Sequence, residues 1–108
     1  MQTEKLILTL SVLAVAPLTK LRFVNFSGTQ AVAADATLGV ANANYDAGEQ
    51  AGVNASGELL VEAGAAIAAG AVVQSDASGR AITLAAGVAF GRARDAATAA
   101  GDIIRVLR

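Results

Sequence analysis

The amino-acid sequence predicts an all-β fold, a small barrel or sandwich of short strands. Three observations carry this. Glycine recurs between short apolar runs, the first run alternates apolar and polar residues, and two segments about fifty residues apart share one pattern of glycine, acid and valine.

The elements follow in chain order. Leu6, Leu8, Leu10 and Val12 share one parity while Lys5, Thr9 and Ser11 share the other, the alternation of a half-buried strand. Residues 1–12 therefore read as an extended arm or edge strand. The run from Leu6 to Ala16 has the length of a signal-peptide core, and Ala14-Val15-Ala16 mimics a cleavage site. Glu4 cancels Lys5 in what would be the positive leader, and the run is too short to span a bilayer. Pro17 ends it, because proline cannot donate to a strand ladder.

Leu21 to Phe26 forms the next apolar run, and Phe26 to Thr29 reads as the turn out of it. Further strands are expected at Leu38–Ala41, Gly52–Val53, Glu58–Glu62, Ala71–Ser75, Arg80–Ala85, Val88–Gly91 and Ile103–Leu107. At most one short helix is expected, near 95–100. "AAIAAGAVVQSDASGR", Ala65 to Arg80, is alanine-rich yet broken by Gly70 and Gly79. It reads as a turn into a strand and a hairpin out, with alanine serving close packing.

At 108 residues the chain suits one domain, residues 1–108. A quarter of the residues are alanine, and the aromatic side chains are Phe23, Phe26, Tyr45 and Phe90. Each side chain buries little area, so added stability is expected from partner chains.

Internal repetition is the most specific feature. "LGVANA" (38–43) aligns with "FGRARD" (90–95), and "AGEQAGV" (47–53) with "AGDIIRV" (100–106). Two weaker matches pair Ala65–Val73 with Ala96–Ile104, and Asn54–Val61 with Asp76–Thr83. The last would make Ala-Ser-Gly a tight turn at both places.

The residues that carry common chemistries are scarce. Histidine and cysteine are absent, which removes Ser-His-Asp and Cys-His nucleophiles, imidazole metal sites and disulfides. No phosphate-binding glycine loop is present. "NANYD" (42–46) hints at a calcium loop, but Ala47 and Val53 stand where glycine and a bidentate glutamate are needed. Neither a metal nor another cofactor is expected. Asp46 with Glu49, Glu58 with Glu62, and Asp95 with Asp102 read as solvated turn acids, so no enzyme is predicted. Net charge is -1 with scattered basic residues, which argues against nucleic acid as a partner. A membrane partner is not expected either.

The order "LGVANANYDAGEQAGV", "GELLVEAGAAIAAGAVVQSDASGR", "GVAFGRARDAATAAGDIIRVL" resembles the capsid decoration, or cement, proteins of tailed bacteriophages grouped as DUF2190. The matching features are Gly39-Val40-Ala41, Ala47-Gly48-Glu49, Gly70 with Asp76 to Gly79, and Gly101-Asp102 with Val106. The second Gly-Val-Ala departs from the pattern: it falls early, at Gly87-Val88-Ala89, with Gly91-Arg92-Ala93 in the repeat position. The resemblance implies a non-enzymatic virion protein on the outer surface of the head. It would be bound to the major capsid protein, self-associate as a homotrimer, and be made in the host bacterial cytoplasm. Thr3, Lys5, Leu6, Leu8, Leu10 and Val12 are the expected capsid or subunit contacts, since an open alternating strand is an edge for strand addition. The alternative is a β-clip-like ligand- or carbohydrate-binding domain using Tyr45, Asn42 and Asn44.

Overall fold

The computed structural model describes residues 4–108. They form eight strands and no helix: β1 (Lys5–Leu13), β2 (Phe23–Asn25), β3 (Thr37–Ala41), β4 (Gln50–Glu62), β5 (Val72–Ser75), β6 (Ala81–Thr83), β7 (Gly91–Ala93) and β8 (Ile103–Leu107). All belong to one sheet in the order β2-β3-β4-β8-β7-β5-β6, with β1 added on β4. Every strand pair is antiparallel. A parallel bridge between Ala63, just past β4, and Ala81 in β6 brings the sheet round on itself into a nearly closed barrel. The predicted all-β class is thus the observed one.

β4 organises the molecule. The sequence suggests two strands here with an Ala-Ser-Gly turn between them, but the chain runs through as one thirteen-residue strand. Val53 and Asn54 pair with Leu10 and Thr9 of β1 and also with Ala41 and Val40 of β3, so those strands flank β4 on opposite edges. Asn54 does not start a turn because its side chain is buried and bonded across the sheet. Its Oδ1 accepts from Thr9 Oγ1 at 3.0 Å and its Nδ2 donates to Glu4 Oε2 at 3.3 Å. Asp76, in the same tetrapeptide pattern, does make the turn: Oδ1 accepts from the amides of Ser78 and Arg80 at 2.8 and 2.9 Å. The true counterpart of that turn is Asn25 to Gly28, where Asn25 Oδ1 accepts from Ser27 and Thr29.

Two register shifts between β1 and β4 offset each other. Ile7 is an extra residue on β1 and Ala55 an extra one on β4, so pairing beyond them resumes in the original register. The shift on β4 has a packing consequence. Val53, Leu59 and Val61 share one parity and would face one side of a regular strand. Instead Leu59 and Val61 enter the larger core with Phe23, Val40, Val73, Phe90, Ile104 and Val106. Val53 joins a second core with Ala14, Leu18, Val24, Ala41 and Ala51. One extra residue thereby lets one strand serve two cores.

The internal repeat is a duplication of structure. Ala41 pairs with Val53 across β3–β4, and Ala93 with Val106 across β7–β8. Phe23 pairs with Val40 as Val72 pairs with Arg92. β1 lies on the first half of β4 as the second half of β4 lies on β8, Val12 opposite Ala51 and Val61 opposite Ile104. Loop bonds repeat as well: Ala14 N donates to Glu49 O and Ala63 N to Asp102 O, at 2.8 and 2.7 Å. Leu18 exchanges bonds with Tyr45 as Ile67 does with Ala97. Leu21 N donates to Ala41 O as Gly70 N does to Ala93 O. At that point Leu21 holds φ 65° where Gly70 holds 86°. A first unit ends and a second begins inside β4.

Other expectations shift in detail. The strand foreseen at Val88–Gly91 lies at Gly91–Ala93, and Phe90 N instead donates to Val73 O. No helix forms near 95–100, because Ala97 is tied to Ile67 and the amides of Thr98 and Ala99 turn back onto the Asp102 carboxylate. The reading of Ala65 to Arg80 as a turn, a strand and a hairpin holds, with the strand at Val72–Ser75.

Candidate functional site

The sequence places the contact surface on β1, and the described residues divide it. Thr3 lies outside the described residues. Lys5, Leu6 and Leu8 are exposed. Leu10 and Val12 are half-buried, opposite Val53 and Ala51, and Val12 packs on the second core. Those two side chains therefore hold β1 in place, while Leu6, Leu8 and one residue the alternation did not single out are exposed, Leu6 and Leu8 on opposite faces because the register shifts between them. Ile7 is the most exposed large apolar side chain at 81%. Its signal was present in the sequence: it is the apolar member of the Lys5, Thr9, Ser11 parity, and it becomes the bulged residue.

β1 pairs with β4 alone among the described residues, so its other edge carries no strand, and own-chain backbone meets that edge at the Leu13 end, where Gly28 packs on Leu13 O. Glu58 pairs with both Lys5 and Leu107, so the exposed Leu107 lies on the same face of the sheet as Lys5. Glu4 anchors the start of the strand, where its Oε2 accepts from Leu60 N at 3.2 Å as well as from Asn54. In the sequence Glu4 stands out only as the acid that cancels Lys5.

Many of the charges elsewhere are engaged internally. Glu58 is buried, ion-paired with Arg94, and lies 3.6 Å from Arg105. Asp95 takes Arg105 in two bonds, Nε to Oδ2 at 2.8 Å and Nη2 to Oδ1 at 2.7 Å, and its hydrogen bond raises the Arg105 pKa above the ordinary value. Glu62 receives Arg22 at 3.2 Å and Arg80 at 3.5 Å. Arg108 lies over the Phe90 ring, 4.4 Å from its centroid, and donates to Thr37 O and Leu38 O. Burial lowers its pKa. Glu58 and Glu62 serve different arginines, and within the loop between β7 and β8 Asp95 binds Arg105 while Asp102 binds Thr98 and Ala99.

Asp102 caps its turn by accepting from Thr98 N, Thr98 Oγ1 and Ala99 N. The Thr98 backbone bond, with the hydroxyl and Ala99 bonds behind it, lowers its pKa below the ordinary value. A carboxylate with a depressed folded-state pKa contributes stability above its unfolded value, and loses it as pH falls through the folded one. Stability is therefore expected to fall below about pH 4, with a shallower decline in Asp102→Asn. Unfolding curves across acid pH check this.

The alternative ligand cluster is also spent internally. Tyr45 Oη donates to Asn42 Oδ1 at 2.5 Å, Asn44 Oδ1 accepts from Lys20 N at 2.8 Å, and Tyr45 packs on the second core. No ligand-sized cavity and no group of three or more acids that could hold a metal ion is found among the described residues.

The molecule is a double-cored, all-β structural domain with β1 at an edge of its sheet. The chain belongs to the phage cement protein family, whose model matches residues 1–108, its whole length. It is a phage structural protein associated with the virion capsid, as the sequence resemblance implied. No match was found among curated proteins.

Proposed function

We propose that this protein binds the outer surface of the phage head, as a cement that stabilises the lattice of the major capsid protein without any catalytic role. The observation that carries the reading is the family match over the whole chain. The free edge and exposed apolar residues of β1 support it. Lys5, Leu6 and Leu8, joined by Ile7, form the capsid contact, and Leu10 and Val12 position the strand that bears them. A binder selective for the assembled lattice lowers that state's free energy by mass action, and contacts to several subunits multiply through effective concentration. The internal bonds of Tyr45, Asn42 and Asn44 favour this reading over a carbohydrate-binding domain.

Removing β1 would strip an edge from β4, so a surface substitution is the cleaner test. Ile7→Asp is expected to weaken co-sedimentation with heads of the protein's own phage by roughly tenfold or more, the effect of a charge in a desolvated contact. The unfolding midpoint should hardly move, because Ile7 is 81% exposed. If Ile7→Asp binds heads like the wild type, β1 is not the contact. If the wild type does not sediment with heads at all, the cement reading fails.

A further inference from the structure

The duplication leaves the two units with unequal ends. At the junction inside the chain, the second half of β4 meets the end of the first unit's opening loop. Glu62 N donates to Leu21 O at 2.9 Å, and the Glu62 carboxylate pairs with Arg22 at 3.2 Å. Each of these groups has a counterpart at the other end of a unit. Leu13 of β1 occupies the place of Glu62, since Leu13 lies opposite Gln50 as Glu62 lies opposite Ile103. Gly70 and Ala71 occupy the places of Leu21 and Arg22, as their shared bonding to Ala93 and Ala41 shows.

We propose that the chain associates head to tail with a second copy of itself by repeating this junction, Leu13 of one copy docking on Gly70 and Ala71 of the next.

The two ends are changed together. Where the internal junction sets arginine against glutamate, the free ends carry alanine and leucine, so a charged pair is replaced on both sides by an apolar one. Leu13 is 52% exposed, more than an apolar strand residue at a closed edge would be, and Ala71 is only half-buried. The backbone elements of the junction are present as well. Past the end of β1, Val15 N donates to Gly28 O as Gly64 N does to Ala81 O, and between β1 and that bond Leu13 N has no backbone acceptor among the described residues, the place that Leu21 O fills for Glu62 N. Gly70 O accepts from the Arg92 guanidinium at 3.0 Å, and a carbonyl oxygen has a second lone pair for an incoming amide. The contact lies at the Leu13 end of β1, away from the Lys5–Leu8 end assigned to the capsid, so a copy can make both.

A contact between two different surfaces closes into a ring or runs on as a filament. A homotrimer is the closed form that the cement reading leads to expect. The proposal deepens that reading and rests on it for the use of the assembly, not for the contact.

The test copies the charge pair of the internal junction. Mass in solution is measured by light scattering or sedimentation, with no capsid present, for the wild type, Leu13→Glu, Ala71→Arg and the double variant. We expect an assembled wild type. Each single variant should associate on the order of a hundredfold more weakly, the cost of burying one unpaired charge. The double variant should reassemble, since the carboxylate introduced on β1 of each copy would meet the guanidinium introduced after Gly70 of the next. Circular dichroism of the single variants checks that both remain folded. A monomeric wild type overturns the proposal, as does a double variant that stays apart. Loss in Leu13→Glu alone also overturns it, because it would point to a two-fold contact of β1 with β1. Head binding is measured separately, so loss of the cement reading and loss of this contact give different results.

Discussion

Phe23→Ala is expected to lower unfolding stability by about 3–5 kcal/mol, the range for removing a fully buried aromatic side chain. Phe23 is 0% exposed and belongs to the first unit, yet its side chain lies in the core built mainly by the second. Its ring centroid is 4.8 Å from that of Phe90, whose other neighbour is the Arg108 guanidinium. The cavity would open in the larger core, beside Phe90. For a domain of this size the loss is a large part of a total stability of roughly 5–15 kcal/mol. Denaturant unfolding of Phe23→Ala beside Phe26→Ala measures it. Phe26 is 65% exposed and should cost well under about 1 kcal/mol. Similar losses in the two variants would contradict the placement of Phe23 in the larger core.

Gly39→Ala and Gly91→Ala are expected to cost about 3 kcal/mol each, at the upper end for overpacking. A Cβ on Gly39 would run into Asn54 O and Val53 Cγ1, and one on Gly91 into Leu107 O and Val106 Cγ1. The obstruction in each case is a backbone oxygen of the paired strand, which cannot move without breaking the ladder. The two glycines occupy one place in the two units, so their costs should agree to within the error of the measurement. Gly48→Ala and Gly101→Ala form the comparison, since nothing lies within 4 Å of either added Cβ and both have positive φ. These should lose only the left-handed backbone preference, roughly 1–2 kcal/mol. Equal losses at all four sites would mean that backbone conformation, not close approach, fixes the shared spacing of the repeat.

The exposure of β1 was half legible. Period-two alternation located β1 and chose its faces, so Leu10 and Val12 were correctly set on one side of a strand. Which part of that side meets solvent was not legible, because it depends on where β4 stops covering it. Ile7 went unread for a related reason. A bulge is defined by the partner strand's register, and Ala55, which compensates it, lies 48 residues on. The same holds for Asn-Ala-Ser-Gly at 54–57. Its local chemistry is that of a turn, and only the burial of Asn54 between Thr9 and Glu4 turns it into a strand.

Local and periodic features were written in the residues themselves. Alternation specified strands, glycine beside small and β-branched residues specified the turns, and spaced Gly-Ala-acid-Val positions specified two related hairpins. Each rests on backbone sterics or on side-chain direction within a few residues. Folding in three dimensions decided that the units share one strand, that a single extra residue in β4 divides two cores, and that the unit ends differ in charge. These depend on pairing between segments far apart in the chain, where a shift of one residue moves every side chain to the other face.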